Sequence, residues 1–389
     1  MPTVQYRLFF NNTPATREQL DRFEDITVSQ EMDMAWEAQL QIPLCTDDKG
    51  RWSGEGENFI LDFTRVRVEI KVGDAPFVAL IDGPIVGQQR QLNSEPGRSL
   101  LTLRVQDDSY YLNQEEQHFR FERSRDDEIA ARLFNQFQQV IKDKKIDKTP
   151  APPSTPIPDV VQRGTAMHLL RFLAERQGYN AYVLPGQKSG QSVGYFKELP
   201  TKPDGLPPLI LLGSDRNVFT FNPTNDAQRP ARFRAYALGL RDKTITRSES
   251  NLSSVPRLGQ SPTVRQESDT AVQILRPRHG DTVDLDRWVA GETLRASYTI
   301  SATGSAIADC YAGVLSPYRL IAVQGANTRE NGIYLISRVT HRLTRSLYSQ
   351  DFTLRRNAQS QAEAPNNNAG IPQASANLSI SFNIQGGIF

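Results

Sequence analysis

Ile26-Thr27-Val28-Ser29-Gln30-Glu31-Met32-Asp33-Met34-Ala35-Trp36-Glu37-Ala38-Gln39-Leu40-Gln41-Ile42 alternates between two kinds of side chain. The even positions are apolar apart from Gln30, and the odd positions are polar apart from Ala35. A period of two sends these sets to opposite faces of a half-buried strand or strand pair. Strands in globular sheets average about 5–6 residues. An alternation this long therefore predicts long, curled strands of the kind that build a barrel wall or a tube.

The same period recurs downstream. Val66, Val68, Ile70 and Val72 alternate with Arg65, Arg67, Glu69 and Lys71, and Leu101, Leu103 and Val105 alternate with Thr102, Arg104 and Gln106. Gly73-Asp74 and the stretch Asn93 to Gly97 supply turn chemistry between the apolar runs. Residues 1–113 thus read as a first antiparallel β-barrel.

Near residue 124 the period changes. Ser124 with Asp127 approximates a capping box, and Ile129, Leu133, Phe134, Phe137, Val140 and Ile141 share one helical face. A second helix is expected from Thr165 through Leu173, with Gly178 stopping it. A Pro-rich connector over 146–160 separates the two. Residues 114–245 form an α/β middle region on this reading, and 246–270 a linker. Strand-like runs at Leu294–Ile300, Tyr318–Val323, Ile333–Val339 and Phe352–Leu354 place a second β-barrel at 271–357, with Asn331-Gly332 as a turn. Residues 358–389 read as a tail rich in Gln, Asn, Ala and Pro. It ends in a short alternation, with Leu378, Ile380, Phe382 and Ile384 on one face. The predicted fold is mainly β, two tube-like antiparallel barrels around a small α/β middle.

Composition excludes several classes of function. The chain has 389 residues, enough for two to four domains. Its formal net charge of +1 gives no global field to recruit nucleic acid or an anionic membrane. Met1-Pro2-Thr3-Val4 is unlike a signal peptide, and no apolar run approaches a membrane span of about 20 residues. Synthesis in the cytoplasm, without direct membrane insertion, is the expectation. Cys45 and Cys310 form no Cys-x-x-Cys pair, which excludes a thiolate zinc site and a disulfide scaffold. Two buried free thiols are expected.

No catalytic constellation emerges. His118, His168, His279 and His341 have no partner at metal-ligand spacing, and structural roles are expected for all four. Neither a Walker loop nor a dinucleotide fingerprint occurs. The acidic pairs Asp47-Asp48, Asp107-Asp108 and Asp126-Asp127 are adjacent in sequence, which suits turns and helix N-termini better than acid/base work. The basic clusters Lys142–Lys145 and Arg276–His279 lack the interleaved aromatics of a single-strand binder, so no nucleic-acid specificity is expected. The reading assigns no catalytic residue, cofactor or metal.

Several segments, in order, resemble the phage tail and baseplate hub family. That family comprises late control gene D proteins, the T-even tail hub and the N-terminal part of type VI valine-glycine repeat spike proteins. The resemblance runs through Arg67, Glu69 and Lys71, then Asp82-Gly83-Pro84-Ile85-Val86, then Leu101–Val105 leading into Asp107-Asp108-Ser109. It continues in Phe172-Leu173-Ala174-Glu175-Arg176 with Gly178-Tyr179. It ends in Asn331-Gly332-Ile333-Tyr334, Arg338–His341 and Tyr348–Asn357. It implies a structural hub of a contractile injection system. Such a hub is a homotrimer whose two barrels per chain adapt a sixfold inner tube protein to a threefold spike around a central channel. About 30 residues follow Asn357, which implies a separate spike protein. Other baseplate proteins are further expected partners, and the arm carrying Leu378, Ile380, Phe382 and Ile384 would pair with spike or a neighbouring subunit. A baseplate-associated peptidoglycan or polysaccharide hydrolase is the alternative, but no spaced Glu/Asp pair in a helical lysozyme-like domain supports it.

Overall fold

The computed structural model describes residues 3–53, 57–95, 97–150, 159–228, 231–238, 243–262, 271–276, 284–307 and 310–360. Eleven strands dominate it: β1 (Val4–Phe10), β2 (Asp25–Glu31), β3 (Glu37–Leu44), β4 (Arg65–Val72), β5 (Val78–Gln91), β6 (Ser99–Gln106), β7 (Val218–Asn225), β8 (Ile300–Ala306), β9 (Leu320–Gln324), β10 (Gly332–Thr344) and β11 (Tyr348–Arg356). They form one mostly antiparallel sheet in the order β7-β8-β11-β10-β2-β3-β6-β5-β4-β1, with β9 added to the start of β10.

The opening alternation is a strand pair. β2 and β3 are hydrogen-bonded antiparallel with Ile26 opposite Leu40. Asp33 turns the chain between them in a left-handed conformation (φ 62°), and its N–H donates to the Tyr318 hydroxyl at 2.7 Å. Six of the even residues bury as expected, Ile26, Val28, Trp36, Ala38, Leu40 and Ile42 entering the core of the first half, whereas Met34 in the turn is 60% exposed.

β10 joins the two halves. Leu320 to Val323 of β9 pair with its first residues, whereas Arg338–Thr344 pair with β2. The two barrel-like halves therefore share one sheet, and each keeps its own apolar cluster.

In the α/β middle, α1 (Asp126–Gln136) and α2 (Ala166–Gln177) pack over short strands at 141–146, 180–185 and 192–197. Thr165 caps α2 by accepting from the His168 N–H, and Gly178 ends it at φ 73°. α1 differs from expectation at both ends. Its cap is Arg125, whose N–H donates to Glu128, while Asp127 accepts from the Thr149 hydroxyl at 2.6 Å. Its other end is a turn closed on Phe137, so Val140 lies past the helix and Ile141 opens a strand.

The expected boundaries at 245 and 271 do not follow the sheets. Leu209–Ile210 and β7 belong to the second half, on β9 and β8. Ala231–Leu238, Ile245–Glu249 and Ala271–Leu275 instead form a separate three-stranded sheet. One side of that sheet packs on α3 (Leu285–Ser297) through Phe233, Ala235, Leu285 and Val289. The expected strand at Leu294–Ile300 is therefore half helix. Asp284, accepting from the Arg287 N–H, starts α3 and carries it to Ser297 before β8 begins.

The two cysteines are both free and exposed, correcting the expectation of burial. Cys45 lies just past β3 and Cys310 on a connection, so the strand alternation that buries their neighbours does not reach either.

Candidate functional surface

The odd positions of the opening stretch point the other way, onto an uncovered sheet face. Register carries that face across both halves. One cross-strand row runs Thr220, Ser305, Asp351, Thr340, Ser29, Glu37, Gln106 over seven strands, and none of these residues is buried. The next row runs Ser349, Arg342, Thr27, Gln39, Arg104 to Gly87. On the other side lie Asn222, Thr303, Thr353, Arg338 and Glu31. Antiparallel sheets tolerate one wet face when that face is polar, and this one is built from hydroxyls, amides and paired charges. Arg342 donates to Asp25 at 2.8 Å, Arg338 lies 3.8 Å from Glu31, and the Thr220 and Ser305 hydroxyls are 3.2 Å apart.

The Arg/Glu and Asp motifs of the sequence meet in a buried clasp. Arg65 holds Asp108 with two parallel hydrogen bonds of 2.9 and 2.6 Å, and its Nε lies 2.7 Å from Asp82. Arg67 donates to Asp82 (2.9 Å) and Glu69 (2.7 Å). It also donates to the carbonyls of Gly186 and Gln187 in the turn that joins the 180–185 and 192–197 strands. The Gly190 N–H and the Ser192 hydroxyl complete the grip, on Asp82 and Asp108. Asp82 and Asp108 are wholly buried and Arg67 is 2% exposed. Five charges at the rim of β4–β6 thus fasten the α/β middle to the sheet. Burial pushes the Asp108 carboxyl above its ordinary range, although Arg65 pulls it down. Asp107 is pushed up to about 6 by burial, against the N–H donors of Trp36 and Ser109. Sequence reading took Asp107-Asp108 as turn residues and missed the clasp. Its visible sign was charge inside apolar strands.

Gly83 makes the clasp's geometry possible. A Cβ there would stand 1.8 Å from the Gln106 carbonyl oxygen, so only glycine lets β5 cross the end of β6 at this point.

The histidine singled out in β10 is structural in its surroundings. His341 is fully buried, 2.9 Å from the Tyr348 hydroxyl and 3.3 Å from Gln30 Oε1. Gln30 donates its amide N–H to the Leu80 carbonyl, leaving its oxygen to accept from His341 Nε2. His341 Nδ1 then accepts from Tyr348. Every polar atom in this chain is matched by a neutral imidazole, and burial lowers its pKa to about 3. His168 serves at the first turn of α2. Lys142, Lys144 and Lys145 are exposed on the 141–146 strand. Among the described residues, no group of three or more His, Cys, Asp or Glu side chains is placed to hold a metal ion. Nor is any helix there long and apolar enough to cross a membrane. Leu378, Ile380, Phe382 and Ile384 lie outside the described residues.

No protein-family model matches the sequence, and no curated protein matches it. Solved structures do resemble the fold. A tail protein from Neisseria meningitidis MC58 superposes with TM-score 0.62 at 13% identity, covering 91% of this chain and 96% of that one. The 43 kDa tail protein of prophage MuSo2 from Shewanella oneidensis gives 0.61 at 14% identity, covering 92% of this chain and all of the other. The E. coli c3393 protein, a type VI secretion component described as similar to the T4 tail proteins gp27 and gp5, gives 0.51 at 13% identity. That match covers 91% of this chain and 76% of c3393. The chain thus shares its overall fold with these two tail proteins and with this type VI secretion component.

Proposed function

We propose that the chain is the trimeric baseplate hub of a contractile phage-tail-like injection system, a structural part without catalytic duty. The observation that carries the reading is the polar face, seven strands wide and unbroken across the two halves. A sheet that leaves so broad a polar face wet, with Arg338 and Arg342 paired to Glu31 and Asp25 on it, suits the wall of a water-filled channel. Two such halves per copy give six around a threefold axis, so a trimer can meet a sixfold inner tube protein on one side and a separate threefold spike protein on the other. Other baseplate proteins would bind outside the ring. In an assembled particle the arm with Leu378, Ile380, Phe382 and Ile384 would add as a strand to the spike or to a neighbouring copy.

Mass photometry of the chain mixed with its spike protein tests the stoichiometry. Three hub copies per complex are expected, and a stable two- or four-copy complex would sink the reading. Deleting residues 377–389 should weaken spike retention. Equal capture by the truncated chain would remove the arm from the proposal while leaving the trimer standing.

A further inference from the structure

The small sheet of Ala231–Leu238, Ile245–Glu249 and Ala271–Leu275 has α3 against one side only. Its other side mixes exposed apolar side chains with arginines. Leu238 and Ile245 stand directly opposite each other, 60% and 72% exposed. Ile274 (63%), Val272 and Tyr236 add three more exposed apolar side chains on the same face. Between them sit Arg234, opposite both Glu249 and Ile274, Arg247, opposite Tyr236, and Arg232, opposite Val272. A single carboxylate, Glu249, answers both Arg234 (2.9 Å) and Arg247 (2.6 Å). The face is thus aliphatic and positively charged at once.

We propose that this face docks an acidic amphipathic helix of a partner protein. The layer is the first argument. A sheet buries its apolar faces against other elements, and here α3 supplies one layer while the opposite apolar side chains have none among the described residues. Charge is the second. Three arginines against one carboxylate favour a partner whose aliphatic stripe is flanked by Asp or Glu, and Arg and Tyr are the residues enriched in the centres of protein interfaces. A nucleic acid would leave Leu238, Ile245 and Ile274 unanswered, since phosphates offer them nothing. A lipid surface is disfavoured because the arginines and Glu249 interleave with the apolar residues, so no continuous apolar area can sink below the headgroups. The docking surface is independent of the hub reading and stands or falls by itself.

The test uses the full chain and a fluorescein-labelled helical peptide with a leucine stripe flanked by glutamates. Controls are its scrambled version, a version with lysine for glutamate, anionic phospholipid vesicles and a duplex oligonucleotide. Fluorescence anisotropy should show saturable binding of the glutamate peptide that weakens as salt rises. The lysine version should bind at least about tenfold more weakly. The double variant R234E/R247E and the double variant L238S/I245S should each lose at least about tenfold in affinity, with unchanged circular dichroism. Binding of the scrambled peptide equal to that of the designed one overturns the proposal. So does binding of vesicles or oligonucleotide in place of the peptide, or indifference of folded variants to the substitutions.

Discussion

Arg67→Met removes the centre of the clasp and keeps most of its volume. Glu69 loses its 2.7 Å partner and Asp82 one of its two arginines, while the carbonyls of Gly186 and Gln187 lose the donor that tied their turn to the sheet. Breaking a buried ion pair from one side costs about 3–5 kcal/mol, because the remaining charge stays desolvated. Arg65 still reaches Asp82, which argues for the lower half of that range. The loss should be local, since the clasp joins two substructures with separate apolar clusters. Hydrogen exchange read by mass spectrometry distinguishes the possibilities. Protection over 180–197 should fall by about 3 kcal/mol, roughly a hundredfold in opening equilibrium. β3 and β6 should keep theirs. Arg67→Lys should fall between the two, for an ammonium retains the charge but cannot serve two carboxylates and two carbonyls in one plane. Unchanged protection over 180–197 in Arg67→Met would show that the middle region is held by packing alone.

Three further outcomes are expected. His341 is neutral when folded, with its pKa near 3 against 6.5 for a free imidazole, so it contributes stability above pH 6.5 that is lost as pH falls toward 3. Asp107, raised to about 6 from 3.8, works in the opposite sense, losing stability as pH rises through that window. Between pH 4 and 6 the two slopes of about 1.4 kcal/mol per unit oppose each other. In Asp107→Asn a urea titration should therefore show stability rising with pH more steeply than in the wild type, and an unaltered slope would contradict the assignment. Gly83→Ala should destabilise by about 1–3 kcal/mol or more through the clash with the Gln106 carbonyl, and a wild-type melting midpoint would argue against so close a crossing. Cys45 and Cys310 should both react with a thiol reagent in the native protein. A count below two without denaturant would show one of them covered.

How much of this was legible in the sequence depends on distance along the chain. The two faces of β2 and β3 followed from alternation alone, because side-chain period is a property of the strand itself. Gly178 and Asn331-Gly332 were readable for the same local reason. The width of the polar face was not, since it rests on β10 pairing with β2, and His341 meets Gln30 across 311 residues. The clasp was half legible. Arg67, Glu69, Asp82 and Asp108 stood out among apolar neighbours, but the turn at 186–190 that they grip carries no mark of its own. α3 escaped because its last residues, Leu294 to Ser297, also read as the start of a strand, and the signal that decides, Asp284, lies ten residues earlier. The arm residues Leu378, Ile380, Phe382 and Ile384 remain a sequence-level expectation.

The pairing of β10 with β2 also sets a clock on the ribosome. β2 emerges early, yet one of its two neighbours is made some 311 residues later. At about 5–20 residues per second, that interval is roughly 15–60 s, during which the N-terminal half displays a bare strand edge beside Ile26 and Val28. Such an edge invites pairing with another nascent chain. The first half can begin to form its own apolar cluster in that time, but its sheet is finished only once Arg338–Thr344 of β10 have been made. A chain released before Gly332 would carry the open edge permanently, so premature termination should yield aggregate and not a usable half-protein.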